Sequence, residues 1–565
     1  SVPELPGKTA VELFDAVRAG DIKIIWIVCT NPAQSMPDQN LIRVALEKAE
    51  LVIVQEAYHN TATVAYADIL LPASTWPEKS GTVTNSERRI SRVRAALPAI
   101  GEARHDWQIA TQFAQILGRK LHKEKPDFSY EDPETIWNEH RDSTAGRDLD
   151  ITGLSYPLLE EHGPQQWPFP AGVSVGEKRL YQDHKFATIN GKARFINCSY
   201  VATAEKITPR HPFALNTGRL RDQWHGMSRT GLVAQLYAHA PEPCIEMAAQ
   251  DMQRRFLQDC DFVEVSNQRG TQILRAKASD QLKAGQTFIA MHWGEEFLSG
   301  SRRSQDQADQ ADQAEQTLYG VNSLCNPAID PISKQAELKH SAVKITKIDL
   351  TWEFVACVWI DSSRILELQK ELRQYYPHFA YASCVLFGRE RQGLLFRAAN
   401  AIAVAAEITT AIERLLGLHG ELVLQYGDAK RGTARRLLIE NAPDLSSQKR
   451  IAGFALSGDI AAESWLKQLL LDEEVLTITP ALLAQSRPTG GNTPQYDNDN
   501  QVVCTCFNIK VQQIRQTISF SVGNEKQRLL KLQESLRCGT NCGSCLPQLK
   551  QFVREVGQKE DVEKL

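Results

Sequence analysis

The sequence predicts a multidomain α/β protein, and three observations lead to this class. The chain has 565 residues, which is long enough for several domains of about 100–200 residues each. Its first part alternates apolar runs of strand length with stretches of helical periodicity, whereas a later part contains short β-like runs separated by turns. Five of the twelve cysteines crowd into the last tenth of the chain, which indicates a separate small domain there.

Residues 1–130 are predicted to form a parallel, doubly wound α/β domain. Three apolar runs have the length of strands: Ile22–Val28, Leu51–Val54 and Ile69–Pro72. Strands that alternate with helical segments are typical of a parallel sheet covered on both faces. Ligands of such sheets lie beyond the carboxyl ends of the strands. Polar residues predicted to share this rim are Asn31, Gln55, Glu56 and Lys79.

The remaining regions follow from shifts in composition and periodicity. Residues 131–208 are rich in proline and glycine and are predicted to be an irregular connection. Residues 209–350 contain short β-like runs with intervening turns, which indicates a β-barrel domain. Residues 351–486 form a mixed α/β middle region without a recognisable chemical motif. Residues 487–500 have the polar, Pro/Gly/Asn-rich composition of a flexible linker.

Bulk composition excludes several classes of function. The formal net charge is −4, so a basic face for nucleic acid is not expected. No apolar run approaches the roughly 20 residues of a membrane helix. The chain opens with Ser1-Val2-Pro3 and has no signal segment, so we expect a cytoplasmic protein. We also expect the chain to begin either after processing or inside a larger gene product. The scattered cysteines are expected to be buried thiols rather than disulfides.

The strongest chemical signal lies in residues 501–560. Cys504 and Cys506 form a CxC pair, and Cys542 and Cys545 form a CxxC pair after 35 intervening residues. Two close thiolate pairs can make a four-sulfur site, and thiolates favour iron–sulfur clusters, zinc or Cu(I). Spacing alone does not distinguish a cluster from a structural zinc ion. A helix is predicted after Cys545, where its N-terminal dipole would favour a negatively charged cluster.

The amino-acid sequence of this segment also resembles that of a known domain. The stretches VCTCFNIKVQQIRQTI and CGTNCGSCLPQLKQFV resemble the bacterioferritin-associated-ferredoxin-like [2Fe–2S] domain, which is small and helical. By that resemblance the cluster ligands are Cys504, Cys506, Cys542 and Cys545. Cys538 falls outside both pairs and is expected not to be a ligand.

The first 350 residues resemble the molybdopterin oxidoreductase family, which binds a molybdenum bis(molybdopterin guanine dinucleotide) cofactor. The stretches that carry the likeness come in the family's order: WIVCTNPAQSMPD, YADILLPASTWPEKSGTVTNSERR, GEARHDW, NTGRLRDQWHGMSRTG and GVNSLCNPAIDPISKQAELKHSAVKI. The resemblance implies that residues 1–130 are an oxidoreductase domain truncated at its N-terminal side. It also implies that the barrel at 209–350 is double-psi-like and binds the dinucleotide.

The resemblance further implies a set of cofactor-contacting residues: Asn31, Gln55, Glu56, Lys79, Asp106, Thr217, Gly218, Arg219, Trp224, His225, Trp293, Asn322 and Lys339. Taken alone, several of these residues have a plainer interpretation. Asn31 precedes a proline and suits a turn, Lys79 suits surface charge, and a Trp-His pair suits packing. His340 is adjacent to Lys339 and competes with it for the aligned position.

Taken together, the molybdenum-cofactor domains and the C-terminal ferredoxin-like domain resemble the assimilatory nitrate reductases, which reduce nitrate to nitrite. By that resemblance, electrons enter at the C-terminal [2Fe–2S] cluster from ferredoxin, flavodoxin or an NADH-dependent flavoprotein. The family's [4Fe–4S] motif and its molybdenum-ligating cysteine have no counterpart before Cys504. We therefore expect the [4Fe–4S] cluster and the molybdenum ligand to lie outside this chain, and the chain alone to be inactive.

Two alternatives remain open at this stage. The first is another enzyme of the same family, such as a formate dehydrogenase, because the molybdenum ligand that would distinguish them is not in the sequence. The second is a non-catalytic electron-transfer protein or zinc-binding interaction protein that uses the same domains.

Overall fold

A computed structural model describes residues 4–121, 128–302, 316–428, 432–442, 445–473, 501–521 and 523–563. The linker predicted at 487–500 lies outside these residues. Within them, no helix combines the length and the apolar character that crossing a membrane requires.

The first domain contains a three-stranded parallel sheet with four helices around it. Its strands, in spatial order, are β1 (Ile24–Val28), β2 (Leu51–Glu56) and β3 (Ile69–Pro72). Its helices are α1 (Ala10–Ala19), α2 (Pro32–Ser35), α3 (Gln39–Lys48) and α4 (Asp106–Lys120). The three strands and their parallel order agree with the periodicity of the sequence.

The two faces of this sheet are covered unequally. Apolar residues of β1 and β2 pack against α1 and α3 in one core. On the other face, the Trp26 ring lies 5.0 Å from the ring of Phe113 in α4. Ile24 and Val28 remain 59% and 46% exposed. The expectation of full cover on both faces is therefore wrong for the described residues, because β1 alternates between buried and open positions.

Residues 131–208 are more ordered at their start than expected. A small antiparallel sheet joins β4 (Gly81–Thr84), β5 (Arg89–Val93) and β6 (Gln165–Gln166). Helices α5 (Pro133–Asp142) and α6 (Tyr156–His162) pack beside it, and Trp137, Leu154 and Phe169 fill a core of their own. Asp132 and Ser155 cap these helices, and a proline follows each cap. These helix-start signals were overlooked because the stretch as a whole is rich in proline and glycine. From 167 to 208 the structure has no helix or strand.

The barrel closes around six strands in the spatial order β10-β8-β11-β7-β15-β9. Their bounds are β7 (Phe213–Gly218), β8 (Cys244–Ala248), β9 (Phe262–Ser266), β10 (Thr271–Ser279), β11 (Gln286–Ala290) and β15 (Ser341–Lys347). The pairs β7–β11 and β8–β10 are parallel, whereas β8–β11, β9–β10, β7–β15 and β9–β15 are antiparallel. The short helix α7 (Ala249–Arg254) follows β8.

The middle region is a seven-stranded sheet fused to the barrel. The spatial order is β12-β17-β18-β16-β21-β20-β19, and the barrel segment contributes the edge strand β12 (Leu298–Ser299). The other strands are β16 (Trp352–Trp359), β17 (Tyr381–Gly388), β18 (Gln392–Asn400), β19 (Val423–Asp428), β20 (Thr433–Ala442) and β21 (Leu445–Gly458). Helices α8 (Ile365–Arg373), α9 (Ala406–Leu415) and α10 (Glu463–Asp472) accompany it. In the chain, the strand pair β13 (Ser301–Arg302) and β14 (Gln316–Thr317) lies between β12 and β15.

One hydrophobic core runs through the barrel and the middle region. Buried charges also cross the boundary: Glu242 accepts hydrogen bonds from Arg275 of β10 at 2.9 Å and from Tyr381 of β17 at 3.2 Å. Paired, hydrogen-bonded charges are the form in which ions persist in a protein interior. The middle region is thus a rigid extension of the barrel rather than a separate body.

The cysteine-rich end is a small domain with three helices. Strands β22 (Val502–Cys504) and β23 (Ile509–Lys510) form a short hairpin. They are followed by α11 (Val511–Ser519), α12 (Glu525–Leu536) and α13 (Leu546–Glu563). Val503, Ile514, Leu532 and Leu549 are among its buried core residues.

Candidate cofactor sites

The carboxyl ends of β1 and β2 meet around one carboxylate, that of Asp106 at the first position of α4. It accepts hydrogen bonds from Lys79 Nζ, from Gln55 Nε2 at 2.8 Å and from Cys29 Sγ at 3.6 Å. Burial raises the pKa of Asp106, but the hydrogen bonds from Lys79 and Gln55 outweigh burial and bring it below its usual range. We call Gln55, Lys79 and Asp106 the rim. The sequence pattern placed Gln55 and Lys79 at this edge, whereas Asp106 was expected near a cofactor only from the family resemblance.

Asn31 and Glu56 lie beside the rim, but their side chains are largely engaged by protein. Asn31 Nδ2 donates to Glu296 at 2.9 Å, and Asn31 Oδ1 accepts from the backbone and hydroxyl of Thr63. Glu56 Oε1 accepts from the backbone N–H groups of Ala57 and Tyr58. Burial raises the pKa of Glu56. Both residues therefore shape their loops, and little of Asn31 is left to contact a ligand.

In the barrel, Thr217 and Gly218 end β7 and lead into an exposed loop. Thr217 Oγ1 donates to the carbonyl of Leu338 at 2.7 Å, and Lys339 Nζ donates to the carbonyl of Thr217 at 2.7 Å. His340 instead contacts the carbonyl of Glu205. Of the two competing positions, Lys339 is the one at the end of β7. At Gly218, a Cβ atom would lie 2.7 Å from the Phe288 ring, which leaves no room for a side chain.

A buried histidine that the sequence had not singled out holds this loop. His292 is fully buried, and its Nε2 accepts from the backbone N–H of Leu220 at 2.9 Å. Its Nδ1 lies 2.5 Å from the carbonyl of His225 and donates to it. One neutral imidazole thus joins the two ends of the segment from Leu220 to His225, and these bonds fix its tautomer.

Three basic residues project from this loop, and we call Arg219, His225 and Arg229 the cationic loop. All three are exposed, and in the part of the chain that the structure describes none of their side chains has a hydrogen bond or an ion pair. Arg219 stacks over the ring of Trp224 at 4.7 Å, and Trp224 lies against His225. Burial, followed by Arg219 and Arg229, lowers the pKa of His225.

The donor set of the cationic loop fits the phosphates of a dinucleotide. Two guanidinium groups and an imidazole share one surface, and no carboxylate of the described residues forms an ion pair with them. Such forks favour phosphate oxygens, which accept bidentate, charge-assisted hydrogen bonds. The indole of Trp224, which is 45% exposed, offers an apolar face beside them.

The structure places Trp293 and Asn322 differently from the expectation of direct cofactor contact. Trp293 is 1% exposed and lies in the barrel core. Asn322 is 7% exposed, and its Nδ2 donates to the carbonyl of Ser35 at 3.0 Å. Both side chains therefore contact protein in this structure, and direct contact with a cofactor stays a prediction for them.

The barrel packs against the first domain beside α2, close to the cationic loop. A Cβ atom at Gly226 would lie 2.8 Å from Gln34 and 3.7 Å from Asn31, so the cationic loop sits directly on α2. Gln34 Nε2 also donates to the carbonyl of Met291. Glu296 accepts from Asn31 and from the backbone N–H of Ala62, each at 2.9 Å.

The four predicted cluster ligands converge as two sulfur pairs, each with one member from either motif. Cys506 Sγ and Cys542 Sγ lie 3.2 Å apart, and Cys504 and Cys545 are hydrogen-bonded to each other. A disulfide would need about 2.05 Å. Among the described residues, no group of three or more His, Cys, Asp or Glu side chains surrounds a single metal position. Thiols in two pairs suit a binuclear centre, in which each iron takes two of them.

The environments of these thiols differ. Hydrogen bonds from Ser544 lower the pKa of the exposed Cys542, whereas burial, with Cys504 next, raises the pKa of Cys545 to about 12. Cys545 directly precedes α13, as the sequence indicated. Cys538 is buried and its Sγ donates to the carbonyl of Leu532 at 3.5 Å, which is consistent with the expectation that it is not a ligand.

Sequence reasoning missed Arg229, His292 and Glu296. Arg229 lies inside the stretch NTGRLRDQWHGMSRTG, so its position in a family-like segment was a usable signal. His292 and Glu296 flank Trp293 but contact residues that are 67 to 265 positions away in the chain. No local pattern reports contacts over such separations.

Comparison with family models finds three matches along the chain. Residues 1–116 match the molybdopterin oxidoreductase model, and residues 213–342 match the molybdopterin dinucleotide-binding domain. Residues 502–555 match the BFD-like [2Fe–2S]-binding domain. These ranges contain the rim, the cationic loop and the four paired cysteines, respectively.

Several curated proteins are similar to this chain. Nitrate reductase of Klebsiella oxytoca is 31% identical over 97% of this chain and 57% of its own length. The assimilatory nitrate reductase catalytic subunit of Bacillus subtilis strain 168 is 32% identical over 61% of this chain and 45% of its own. Formate dehydrogenase H of Escherichia coli K12 is 29% identical over 62% of this chain and 44% of its own.

The chain thus spans about half the length of the curated relatives that it matches. The matched domains follow one another in the order in which the structure arranges the rim, the barrel and the paired cysteines. The chain therefore carries a molybdopterin oxidoreductase domain, a molybdopterin dinucleotide-binding domain and a BFD-like [2Fe–2S]-binding domain.

Proposed function

We propose that this chain is part of a molybdenum-dependent nitrate reductase that works in nitrogen assimilation. The reaction is NO3⁻ + 2 e⁻ + 2 H⁺ → NO2⁻ + H2O, and electrons enter through the C-terminal [2Fe–2S] domain. When bound, the molybdenum cofactor supplies the oxygen-atom transfer chemistry. The molybdenum ligand and a [4Fe–4S] cluster are expected outside this chain, and we expect the protein to be cytoplasmic.

The observation that carries this proposal is the extent of one similarity. The likeness to the Klebsiella nitrate reductase runs through the barrel, the middle region and the cysteine domain, and so covers 97% of the chain. The likeness to formate dehydrogenase H covers 62%. A protein that shares the electron-entry domain as well as the cofactor domains is the better guide to the complete reaction.

The residues of this chain have three roles in the proposal. Arg219 and Arg229 bind the phosphates of the dinucleotide, while His225 and Trp224 border the pterin. Lys79, Gln55 and Asp106 keep the opposite wall in place through their mutual hydrogen bonds. The six-stranded closed barrel, with its parallel β7–β11 pair, is the part that we interpret as double-psi-like.

Growth on different nitrogen sources tests the proposal. The complete gene product is expressed in a bacterial host that lacks nitrate reductase, and growth on nitrate is compared with growth on ammonium. We expect growth on nitrate that depends on molybdate and is lost in the Arg219→Ala, Arg229→Ala double variant. Growth on nitrite as the control shows that later steps of assimilation are intact. Absence of nitrate-dependent growth, with soluble protein present, contradicts the proposal.

A formate dehydrogenase is the second candidate, because the similarity to formate dehydrogenase H covers both cofactor domains. Purified enzyme distinguishes the two: nitrate-dependent oxidation of reduced viologen favours nitrate reductase, and formate-dependent reduction of oxidised viologen favours formate dehydrogenase. A non-catalytic zinc protein would show neither reaction and would contain zinc instead of iron. The physiological donor is assigned by testing ferredoxin, flavodoxin and an NADH-dependent flavoprotein in the same assay.

A further inference from the structure

Two arginines from different regions of the chain donate hydrogen bonds to the loop around Cys504 and Cys506, which we call the CxC loop. Arg221, in the barrel loop, donates from Nη1 to the carbonyl of Val503 at 2.6 Å and from Nη2 to Thr505 Oγ1 at 3.2 Å. Arg389 donates from Nη2 to the carbonyl of Cys506 at 2.7 Å and from Nη1 to the carbonyl of Thr505 at 3.4 Å. The loop between the two ligand cysteines thus accepts bonds from both sides.

Arg389 gives the middle region a role that its sequence did not reveal. It lies in the turn between β17 and β18, two strands of the seven-stranded sheet that shares its core with the barrel. This turn projects from a rigid support, so it can hold the cluster domain in one place. Barrel, middle region and cluster domain are joined at the CxC loop.

The charges of the two arginines are balanced differently. Arg221 forms a bidentate ion pair with Asp222 at 2.9 and 2.8 Å, and both side chains are mostly buried, at 17% and 7% exposed. Thr505 Oγ1 donates to Asp222 at 2.7 Å. Among the described residues, Arg389 forms an ion pair only with Glu390, at 3.7 Å, and Glu390 is 94% exposed. Arg389 therefore brings net positive charge to the loop, whereas the Arg221–Asp222 pair is close to neutral.

These charges lie close enough to the ligand cysteines to act on them. Asp222 interacts electrostatically with Cys542, and Arg221 with Cys545 and Cys504. Reduction adds one electron to a [2Fe–2S] cluster, so a nearby positive charge favours the reduced form and a nearby negative charge opposes it. Net charge and hydrogen bonding around the sulfurs are known determinants of cluster potential.

We propose that Arg389, Arg221 and Asp222 form a docking clamp that fixes the [2Fe–2S] domain beside the dinucleotide loop and sets the reduction potential of its cluster. All three are positioning residues, since they contact the loop rather than the cluster itself. The clamp deepens the proposed electron-entry role: it rests on the four proposed cysteine ligands, but not on the identity of the substrate.

The test is a redox titration of the full-length holoprotein monitored by EPR of the [2Fe–2S] signal. Arg389→Gln removes a positive charge and keeps a donor, so we expect a more negative midpoint potential. Asp222→Asn removes a negative charge and keeps an acceptor for Thr505, so we expect a more positive one. Opposite shifts from two changes in one clamp would not arise from general loosening of the structure.

Two further variants separate charge from position. Arg389→Lys keeps the charge but loses the fork, so we expect a potential near that of the wild type and faster hydrogen exchange in residues 502–506. Arg364→Gln removes an arginine of the middle region that has no hydrogen bond to the cluster domain in the described residues, and we expect it to change neither measurement.

The outcomes are distinguishable. Shifts of the same sign for Arg389→Gln and Asp222→Asn, or no shift in either, overturn the clamp. A wild-type protein without a [2Fe–2S] signal overturns the ligand assignment and the clamp together. A normal signal with opposite shifts, in a protein that does not reduce nitrate, supports the clamp and rejects only the substrate.

Discussion

The two walls of the candidate dinucleotide site differ in how their charges are satisfied. In the rim, Lys79 and Gln55 already bond to Asp106, so each charge has its partner within the protein. In the cationic loop, Arg219, His225 and Arg229 have no such partner within the described chain. The difference indicates two roles. Bonds within the protein already hold the rim in place, whereas the cationic loop has side chains available to bind an anion.

The largest effect is expected from removing the unpaired cations. Two lost charge-assisted bonds of about 1.5 kcal/mol each correspond to roughly 100-fold weaker phosphate binding. We therefore expect the Arg219→Ala, Arg229→Ala double variant to lose about that factor in affinity for inorganic pyrophosphate, measured by calorimetry. Its free energy of unfolding in urea should stay within about 0.5 kcal/mol of the wild type. A comparably large loss in the free energy of unfolding would show that Arg219 and Arg229 stabilise the fold, and it would contradict the proposed difference between the two walls.

A smaller effect, on stability rather than binding, is expected in the rim. Asp106→Asn leaves Lys79 without its counter-charge, and because both side chains are about one third exposed the cost should be about 1 kcal/mol. The folded-state pKa of Asp106 is below its unfolded value, so its contribution is present above about pH 3.9 and is lost as pH falls through the folded pKa. Urea unfolding at pH 7 and below pH 4 measures both effects. The variant should bind pyrophosphate normally, and a large loss of binding would place the rim in direct contact with the ligand.

A still smaller change is expected from Arg219→Lys. The lysine keeps the charge but loses the planar fork and part of the stacking on Trp224, contributions of about 0.5–1 kcal/mol. We expect pyrophosphate affinity to fall only a few-fold, measured by the same calorimetry. Lys79→Arg, a reverse exchange in the rim, is the matched control and should leave affinity unchanged. A loss of affinity as large as that of the double alanine variant would mean that the geometry of the guanidinium group, rather than its charge, determines phosphate binding by the cationic loop.

The smallest expected effect is a shift in the titration of His225. Its pKa is lowered by burial and then by Arg219 and Arg229, so bound pyrophosphate should raise it again by compensating those charges. Histidine labelled with ¹³C and followed by NMR measures this pKa, with His225→Gln identifying the signal. Arg219→Ala should raise the pKa in the absence of ligand. A pKa that does not respond to pyrophosphate would place His225 away from the phosphates.

Local patterns were sufficient for the strands of the first domain and for the prediction that the two cysteine motifs come together. Ile69–Pro72 was predicted as a strand from its apolar run and is one, and Leu51–Val54 lies within β2. The CxC and CxxC motifs likewise predicted that four sulfurs meet. Patterns over a few neighbouring residues determine these features, so the structure differs little from what the sequence predicts.

Other expectations depended on packing, which determines what each side chain or segment contacts. Trp293 lies in a stretch that resembles a cofactor segment, but the closed barrel buries its ring. Asn31 was expected to contact the ligand, yet Glu296 and Thr63 occupy most of its hydrogen-bonding capacity. Residues 131–208 were expected to be irregular, although α5 and α6 form where they can pack against β4 and β5.

The sequence by itself determined the order of domains, the parallel strands of the first domain, the β-rich barrel region and the four paired thiols. It did so because hydrophobic period, turn residues and cysteine spacing act over a few neighbouring positions. Only the tertiary structure decided which charges are paired and which are free, and that Arg389 meets the CxC loop from 117 residues away. Those contacts form when closed sheets and shared cores bring distant segments together, and no local pattern records which segments will meet.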